Sequence, residues 1–222
     1  MSQNINNPLS YQGDRPEIIR QVPKCNSILD VGCNQGSMGA ALKGQGRAMY
    51  VMGLDYNSES IEKAKLLLDK AITIDLNNST KVEEILNDQK FDCIICADVL
   101  EHLVDPLGLI RELYKHLNTE GRIIISLPNM NHWSIFFHLL INKYPRRNRG
   151  IYDKTHLQFY LLHNLPELAV YDLKFSLLDR NFRIFDQKQG NWDKTFMRIF
   201  KYIPWFRNFV TYQFIFELTK PE

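Results

Sequence analysis

The sequence predicts an α/β fold in which helices cover both faces of a mostly parallel sheet. Apolar segments alternate with helical segments through residues 27–129. The apolar segments, such as "SILDVGC" and "FDCIICADVL", are continuous rather than alternating, which is typical of parallel strands buried on both faces. A length of 222 residues suits one domain with additions. We therefore expect a single domain over 1–222, with its ligand outside the carboxyl ends of the strands.

The elements of this core follow one another in a regular order. A short helix in "RPEIIRQVP" ends at Pro23, before the first strand. Pro106 lies in the first turn of the last core helix, where proline is well tolerated. Strands are predicted at 27–33, 48–57, 71–76, 91–100 and 121–129, and the helices between them at 37–46, 58–70, 79–88 and 105–117.

The alternation of strands and helices ends after residue 129. The helix "HWSIFFHLLINKY" is apolar nearly all round and is expected to cover another surface, and a charged loop follows at 145–160. We divide the domain into a core at 27–129, a lid insertion at 130–180 and a C-terminal part at 181–222. The later elements are predicted as a helix at 165–181, strands at 182–189 and 212–221, and an aromatic segment at 192–209.

Composition and cysteine usage narrow the class of protein. A net charge of +2 gives no general electrostatic case for binding nucleic acid. Residues 1–12 are polar and lack a signal-peptide core, and no apolar run approaches the roughly 20 residues of a membrane span. Cys93 and Cys96 fall three apart in a strand and face opposite ways, so a shared metal or redox pair is not expected. The cysteines are expected to be reduced, which favours a cytoplasmic location.

The glycine-bearing turn in "ILDVGCNQG" indicates a ligand site. Gly32 and Gly36 let a ligand approach the backbone, and a side chain at Gly32 is expected to collide with that ligand or to force a disfavoured φ. A dinucleotide fingerprint would place a third glycine where Asn34 stands. Asp30 would repel a pyrophosphate but attract a cation. S-adenosylmethionine carries a sulfonium and an ammonium, so its charge suits this turn better, provided that Asn34 takes a positive φ.

Two further carboxylates follow successive strands. Asp55 ends the second strand, where it can accept both ribose hydroxyls of a nucleoside. Asp75 ends the third strand, where it can accept an adenine amino group, and Leu76 is placed beside the ring. Aspartates often begin turns, so each one alone is weak support. With Asp30 they place carboxylates at three successive strand ends, which favours an adenosine-containing cofactor.

These motifs carry a family resemblance. "ILDVGCNQG", "GLDYN", "ITIDL", "FDCIICADVLEHLVDP" and "GRIIISLPN" resemble the ordered motifs of class I S-adenosylmethionine-dependent methyltransferases. The resemblance covers about 27–129 and implies a Rossmann-like seven-stranded sheet whose last strand is antiparallel. It also implies S-adenosylmethionine as the cofactor. Asn34 departs from the family pattern, which usually has glycine there.

A second resemblance covers 11–23 and 126–160. "YQGDRPEIIRQVP", "SLPNMNHW" and "RGIYDKTHLQFY" are similar to bacterial methyltransferases encoded among glycan and polysaccharide assembly enzymes, in which a D-x-T-H-x-x-F/Y loop follows strand five. By this likeness Tyr11 and Arg15 fold over the cofactor; otherwise they cap a surface helix. The predicted cofactor-binding set is Asp30, Gly32, Cys33, Gly36, Asp55, Tyr56, Asp75, Leu76, Ala97 and Tyr11.

Two histidines are candidate catalytic bases. His156 lies on the predicted acceptor loop, where Asp153 either orients its imidazole or turns the loop. His102 follows strand four, near the expected position of the methyl group; each histidine can instead have a structural role. Glu101 is expected to brace the fold. No histidine–carboxylate group has convincing metal spacing in the sequence, so no metal is predicted.

Together these observations predict a methyltransferase that O-methylates a sugar or glycan precursor. The alternatives are N-methylation of an amino sugar or another small amine, a NAD-binding oxidoreductase, and a non-catalytic cofactor-binding partner. The basic run 143–149 can meet phosphates or a membrane surface, or it can be a solvated loop. The segment 192–209 can lie on a bilayer, or it can cover a sheet edge or a dimer contact. Acceptor identity and oligomeric state stay open.

Overall fold

The computed structural model describes residues 15–183 and 202–221. Tyr11, most of the aromatic segment 192–209 and most of the strand predicted at 182–189 lie outside these described residues. Within them, no helix is long and apolar enough to cross a membrane.

The described residues form a seven-stranded sheet, in the order β3-β2-β1-β4-β5-β7-β6. The strands are β1 (Cys25–Val31), β2 (Ala48–Asp55), β3 (Lys70–Thr73), β4 (Phe91–Ala97), β5 (Leu117–Pro128), β6 (Lys174–Phe182) and β7 (Thr211–Thr219). The first five pair in parallel, and β7 runs antiparallel to both β5 and β6. This arrangement confirms the predicted sheet, including the antiparallel end.

The helices fall largely where the sequence places them. Asn57, Asn78 and Asp105 cap α3, α4 and α5, because each side chain accepts a backbone N–H in the first helical turn. The helices are α1 (Pro16–Ile19), α2 (Ser37–Gly44), α3 (Ser58–Ala64), α4 (Ser79–Leu86), α5 (Pro106–Lys115), α6 (Trp133–Leu140) and α7 (Pro204–Val210).

Both faces of the sheet are buried, as the continuous apolar strands predict. On β4, Ile94 and Cys96 contribute to one hydrophobic cluster, whereas Cys93 and Ile95 contribute to the other. Cys93 and Cys96 therefore lie on opposite sides of the sheet, and both are fully buried. Helix α6 is different, because only Ile135 of its residues is buried and its other apolar side chains are largely exposed. Ile135 packs with Ile151, Tyr152 and Tyr212, so α6 covers this cluster with one side only.

The prediction of a helix at 165–181 is wrong. A 3₁₀ helix spans Leu162–Leu168 and contains Pro166, which lacks the N–H needed for a regular helix. Strand β6 then begins at Lys174, well before the strand predicted at 182–189. It pairs with β7 over its whole length, with two irregularities in register. This pairing satisfies the backbone of a segment whose side chains are mostly half-buried, and tertiary context overrides the helical pattern.

Candidate cofactor and acceptor site

A cavity of about 850 Å³ lies at the carboxyl ends of β1, β2, β3 and β4. Its volume is within the usual range for small-molecule and cofactor sites. The residues of the predicted site that line it are Gly32, Cys33, Asp55, Tyr56, Asp75, Leu76, Ala97 and His102. Asp30, Gly36 and His156 are not among the residues that line the cavity, and Tyr11 is outside the described residues.

The glycine turn adopts the backbone that its sequence requires. Gly32, Asn34 and Gly36 have φ angles of 75°, 49° and 81°, so Asn34 takes the positive φ expected of it. The amide of Asn34 donates to Asp55 Oδ2 at 2.8 Å. The amide of Gly32 donates to the carbonyl of Leu54 at 2.7 Å. The end of β2 therefore holds this turn in place.

Two constraints exclude a side chain at Gly32. Its φ of 75° is disfavoured for other residues, as expected, and the packing around it adds a constraint that was not expected. A Cβ atom added at Gly32 would lie 2.4 Å from Val99 Cγ2, so the first obstacle is protein rather than ligand. A Cβ atom at Gly36 would lie 3.2 Å from Ala64 Cβ in α3. Close packing of the turn against Val99 therefore excludes a side chain at Gly32, and the collision with the ligand stays a prediction.

Asp55 holds the glycine turn and also lines the cavity. Its Oδ2 accepts the amide of Asn34, and its Oδ1 accepts the amide of Asn57 at 2.9 Å. Burial raises the pKa of Asp55, while these backbone donors lower it. A carboxylate oxygen has lone pairs for more than one donor, so each oxygen can still accept a hydroxyl on the cavity side.

Asp30 is a buried carboxylate that lacks a partner. It is 0% exposed, and both of its oxygens find no hydrogen-bond donor among the described residues. Burial, and then repulsion from Asp55, raise its pKa to about 7. An unpaired carboxylate directly behind the turn suits a positively charged ligand group, so these residues fit the charge of S-adenosylmethionine. A pyrophosphate would meet repulsion here instead.

Asp75 and Leu76 form the edge of the cavity beyond β3. Asp75 Oδ1 accepts the amide of Asn77 at 2.9 Å, and among the described residues no donor bonds to its Oδ2. Leu76 is buried and contributes an apolar surface beside it. The pair can therefore present a carboxylate to an amino group and an apolar side chain to a ring.

A chain of hydrogen bonds orients His102 at the opposite side of the cavity. Thr155 Oγ1 donates to Asp153 Oδ1 at 2.7 Å, because a carboxylate can only accept. The same hydroxyl lies 3.0 Å from His102 Nδ1 and must accept there, which assigns the proton to Nδ1. In neutral His102, Nε2 then keeps its lone pair. Of the two roles considered for Asp153, the structure shows the loop turn, because its Oδ1 also accepts the amide of Thr155 at 2.9 Å. Through the Thr155 hydroxyl the same carboxylate acts on His102.

His156 packs behind His102 rather than on the cavity wall. The two ring centroids are 4.8 Å apart, with an interplanar angle of 65°. Burial, and then the proximity of His102, lower the pKa of His156 to about 4. Its role as a base stays a prediction, although His102 is the histidine that reaches the cavity.

Glu101 lies close to both His102 and His156. Its side chain is 1% exposed, and burial raises its pKa well above the usual range. One ligand atom from each of Glu101, His102 and His156 lies within 4.8 Å of the others. Sequence reasoning considered these residues separately, because a loop of unknown path divides residue 102 from residue 156.

Arg15 closes the cavity from the N-terminal side. Its Nη1 donates to Asp98 Oδ2 at 2.5 Å, and Asp98 follows β4 with a φ of 54°. Gln213 of β7 also donates to Asp98. Arg15 lines the cavity, whereas Tyr11 lies outside the described residues, so the role of this segment over the cofactor stays a prediction. The Arg15–Asp98 pair was not predicted, since the residues lie far apart in the sequence.

Comparison with known proteins identifies the family. A family model described as a methyltransferase domain matches residues 10–170. The chain belongs to this family. The domain is a class I S-adenosylmethionine-dependent methyltransferase, which confirms the enzyme class and the cofactor predicted from the glycine turn and the strand ends.

Curated relatives of this methyltransferase share one name. A ubiquinone biosynthesis O-methyltransferase from Rickettsia typhi is 33% identical over 118 residues, covering 53% of this chain and 47% of the relative. The protein of that name from Histophilus somni is 30% identical over 186 residues, or 76% of each chain. The methyltransferase spans about half the length of the first curated relatives that it matches.

Solved structures confirm the fold. A SAM-dependent methyltransferase from Archaeoglobus fulgidus has a TM-score of 0.62 at 18% identity, covering 92% of this chain and 90% of the other. The plantazolicin methyltransferase BpumL, in complex with a triazolic desmethylPZN analog and SAH, has a TM-score of 0.63 at 19% identity, covering 99% and 89%. The resemblance to glycan-associated methyltransferases is not specifically supported by these relatives.

Proposed function

We propose that this methyltransferase transfers a methyl group from S-adenosylmethionine to a hydroxyl oxygen of a small acceptor. The observation that carries the proposal is one cavity that joins Asp55 and Asp75 at one side to His102 at the other. The carboxylate side suits the cofactor, and the histidine side suits an acceptor hydroxyl.

The residues around the cavity would bind the cofactor and align its methyl group with the acceptor oxygen. S-adenosylmethionine supplies a methyl group on a sulfonium, which is already an activated leaving group. Asp55 would accept the ribose hydroxyls, Asp75 the adenine amino group, and Asp30 would offset positive charge from behind the turn. Orientation of two reactants can contribute roughly 7–11 kcal/mol to lowering a barrier, so alignment is the main demand on the protein.

His102 is the residue that would act on the acceptor. Its Nε2 lone pair is fixed by the bond from Nδ1 to Thr155. It can accept a hydrogen bond from the acceptor hydroxyl and favour loss of that proton as the new carbon–oxygen bond forms. General base assistance is typically worth about 10²–10⁴-fold in rate. His156, behind His102, would support this group.

The acceptor that we favour is a phenolic hydroxyl on a quinone precursor. The names of the curated relatives from Rickettsia typhi and Histophilus somni support oxygen as the methylated atom and this acceptor class. A sugar or glycan precursor is the rival, supported by the likeness of "RGIYDKTHLQFY" to the glycan-associated group. Methylation of an amino sugar nitrogen is the second rival. These acceptors differ in ring chemistry, so a direct comparison separates them.

The test is a panel of acceptors incubated with the purified protein and S-adenosylmethionine carrying a labelled methyl group. The panel contains a dihydroxybenzoate, a nucleotide-sugar and an amino sugar at equal concentration. We expect label in the dihydroxybenzoate, with the mass and fragmentation of a methyl ether. Label in the nucleotide-sugar alone would move the function to sugars. Label on the amino sugar nitrogen alone would overturn O-methylation. Failure to bind S-adenosylhomocysteine by calorimetry would overturn the cofactor assignment itself.

A further inference from the structure

A second cavity, of about 550 Å³, lies over β6 and β7, between the 3₁₀ helix Leu162–Leu168 and α7. Among the residues that the structure describes, it shares no lining residue with the cofactor cavity. Asn208 of α7 contributes to its polar end. Its apolar lining consists of Leu161, Leu162, Pro166, Phe175, Leu177 and Phe214. A mostly apolar groove of this size suits a small organic molecule.

The apolar wall of this groove contains two aromatic rings and is open to water. Phe214 of β7 is buried, whereas Phe175 and Leu177 of β6 are half-buried and Leu161 is 43% exposed. Removal of such apolar surface from water favours ligand binding. Aromatic rings also attract one another in offset or edge-to-face contact. The wall therefore favours a ligand with a flat, apolar ring.

Arg180 places a positive charge beside this wall. Its guanidinium lies over the ring of Phe214, with Cζ 5.4 Å from the ring centroid, and its Nη1 donates to Asn208 Oδ1 at 2.7 Å. The carboxylate of Asp179 accepts from Gln21 and from the backbone amide of Arg180, rather than from the guanidinium. A guanidinium has five N–H donors, so Arg180 keeps donors for a ligand.

Arg207 adds a second positive charge at the same end of the groove. It precedes Asn208 on α7, and its side chain is exposed. Burial, and then repulsion from Arg207, lower the pKa of Arg180. Neither arginine takes part in a salt bridge among the described residues. A negatively charged ligand group would offset this repulsion, so the polar end of the groove favours an anion.

Asn208 offers a further hydrogen-bond donor next to Arg180. Because arginine can only donate, the atom of Asn208 that faces Arg180 must be the amide oxygen, which assigns the other position to Nδ2. No described residue accepts from this Nδ2, so it is available to a ligand in the groove that Asn208 lines. Asn129 Nδ2 donates to the carbonyls of Asn208 and Thr211 at 2.7 Å each, which fixes the end of α7. The donors are therefore held in place before a ligand arrives.

We propose that this groove binds a planar aromatic monocarboxylate, with its ring against Phe175 and Phe214 and its carboxylate on Arg180 and Asn208. The flat fork of a guanidinium matches the two oxygens of a carboxylate. A neutral aromatic ligand would leave the two positive charges uncompensated, and an inorganic anion would leave the apolar wall exposed to water. A long acyl chain would gain less from the two rings. The groove is then a second ligand site, apart from methyl transfer, and it does not depend on the proposed function.

Calorimetry of the full chain with naphthoate tests the groove, and naphthamide serves as a neutral probe of the same shape. We expect one equivalent of naphthoate to bind. Naphthamide should bind about tenfold to a hundredfold more weakly, because it lacks the charge that meets Arg180. Absence of naphthoate binding, or equal affinity for the two probes, would overturn the site. Tighter binding of octanoate or inorganic phosphate than of naphthoate would overturn the aromatic assignment.

Variants locate the bound probe. Arg180→Gln should weaken naphthoate binding by about tenfold to a hundredfold, and Arg180→Lys by less, because lysine keeps the charge but loses the fork. Arg122→Gln is the matched control and should keep wild-type affinity, since Arg122 is another half-buried arginine of the sheet but is already paired with Glu217 at 2.9 Å. Unchanged affinity in Arg180→Gln, or an equal loss in Arg122→Gln, would overturn the assignment. The variants are compared by thermal unfolding, so that loss of the fold is not counted as loss of a ligand contact.

Competition with S-adenosylhomocysteine separates the groove from the cofactor cavity. The cofactor product should bind naphthoate-saturated protein and Arg180→Gln as tightly as it binds the wild type, because the two cavities share no described residue. Lys154→Gln, which changes the lining of the cofactor cavity, should keep its affinity for naphthoate. Competition between the two ligands, or loss of naphthoate binding in Lys154→Gln alone, would place the probe in the cofactor cavity and overturn the groove. Naphthoate binding in the groove without binding of S-adenosylhomocysteine would overturn the proposed function alone.

Discussion

Replacement of Asp55 tests the cofactor side of the cavity most directly. Asp55→Ala removes a carboxylate that faces the cavity and also accepts the amides of Asn34 and Asn57 at 2.8 and 2.9 Å. The variant should therefore lose affinity for S-adenosylhomocysteine and some stability of the fold. The two effects come from different lone pairs of the same side chain.

The magnitudes follow from the hydrogen bonds that are lost. Hydrogen bonds to a charged group are worth about 1.5–3 kcal/mol, and about 1.4 kcal/mol corresponds to tenfold in affinity. We expect binding to weaken by about tenfold to a hundredfold. The amides of Asn34 and Asn57 lose their acceptor, so unfolding free energy should also fall by about 1–3 kcal/mol. Burial of the charge opposes part of this second loss, as the raised pKa of Asp55 shows.

The assay is isothermal titration calorimetry of S-adenosylhomocysteine with wild-type protein and two variants. Asp69→Ala is the matched control, because Asp69 Oδ2 also accepts a β2 amide, that of Val51 at 2.8 Å, but Asp69 does not line the cavity. Asp69→Ala should lose stability and keep its affinity. A folded Asp55→Ala protein with wild-type affinity would refute the assignment, as would an equal loss of affinity in Asp69→Ala.

Three further changes test the turn and the buried polar groups. Gly32→Ala should lower the free energy of unfolding by about 2–4 kcal/mol, because alanine disfavours this φ and its Cβ clashes with Val99. In urea denaturation, adding Val99→Ala should restore part of that loss. A Gly32→Ala protein with wild-type stability would contradict the packing argument. The pKa of Asp30 is about 7 in the folded protein, above its value in the unfolded chain. The protonated side chain therefore favours the folded state fully near pH 4, and this contribution to stability is lost as pH rises through 7. In cofactor-free protein, the free energy of unfolding should therefore fall by about 4 kcal/mol between pH 4 and 8, and Asp30→Asn should abolish this fall in urea titrations. The same fall in Asp30→Asn would show that Asp30 does not cause it. Tyr160→Phe should leave melting temperature unchanged or raised, because the Tyr160 hydroxyl is buried without a partner among the described residues, and a clear decrease would reveal one.

The core of the fold could be predicted because its signal is local. Each parallel strand is a continuous apolar run, and a residue that ends such a run must lie at the carboxyl edge of the sheet. Asp55 and Asp75 each end such a run, and both line the same cavity. A positive φ at Asn34 was the condition for this turn to hold the cofactor, and the structure meets it.

The acceptor side could not be predicted to the same depth, because its contacts are distant in the sequence. His156 reaches His102 only because the amides after it bond to the carbonyl of Glu101. Arg15 meets Asp98 from a segment that carries no recognisable pairing signal. Strand β6 was mistaken for helix because its pattern is that of a half-buried edge, and only β7 supplies the partner that makes it a strand.

The position of β7 in the sheet has a consequence for synthesis. β7 lies between β5 and β6, although both precede it in the chain. While the ribosome has not yet released residues 211–219, β5 presents one unpaired edge and β6 has no neighbour, and exposed edges of this kind invite pairing with other chains. The sheet is therefore completed only when β7, the last of these strands to be synthesised, inserts between β5 and β6. A polypeptide stopped shortly before Thr211 should aggregate rather than persist as a slightly smaller domain.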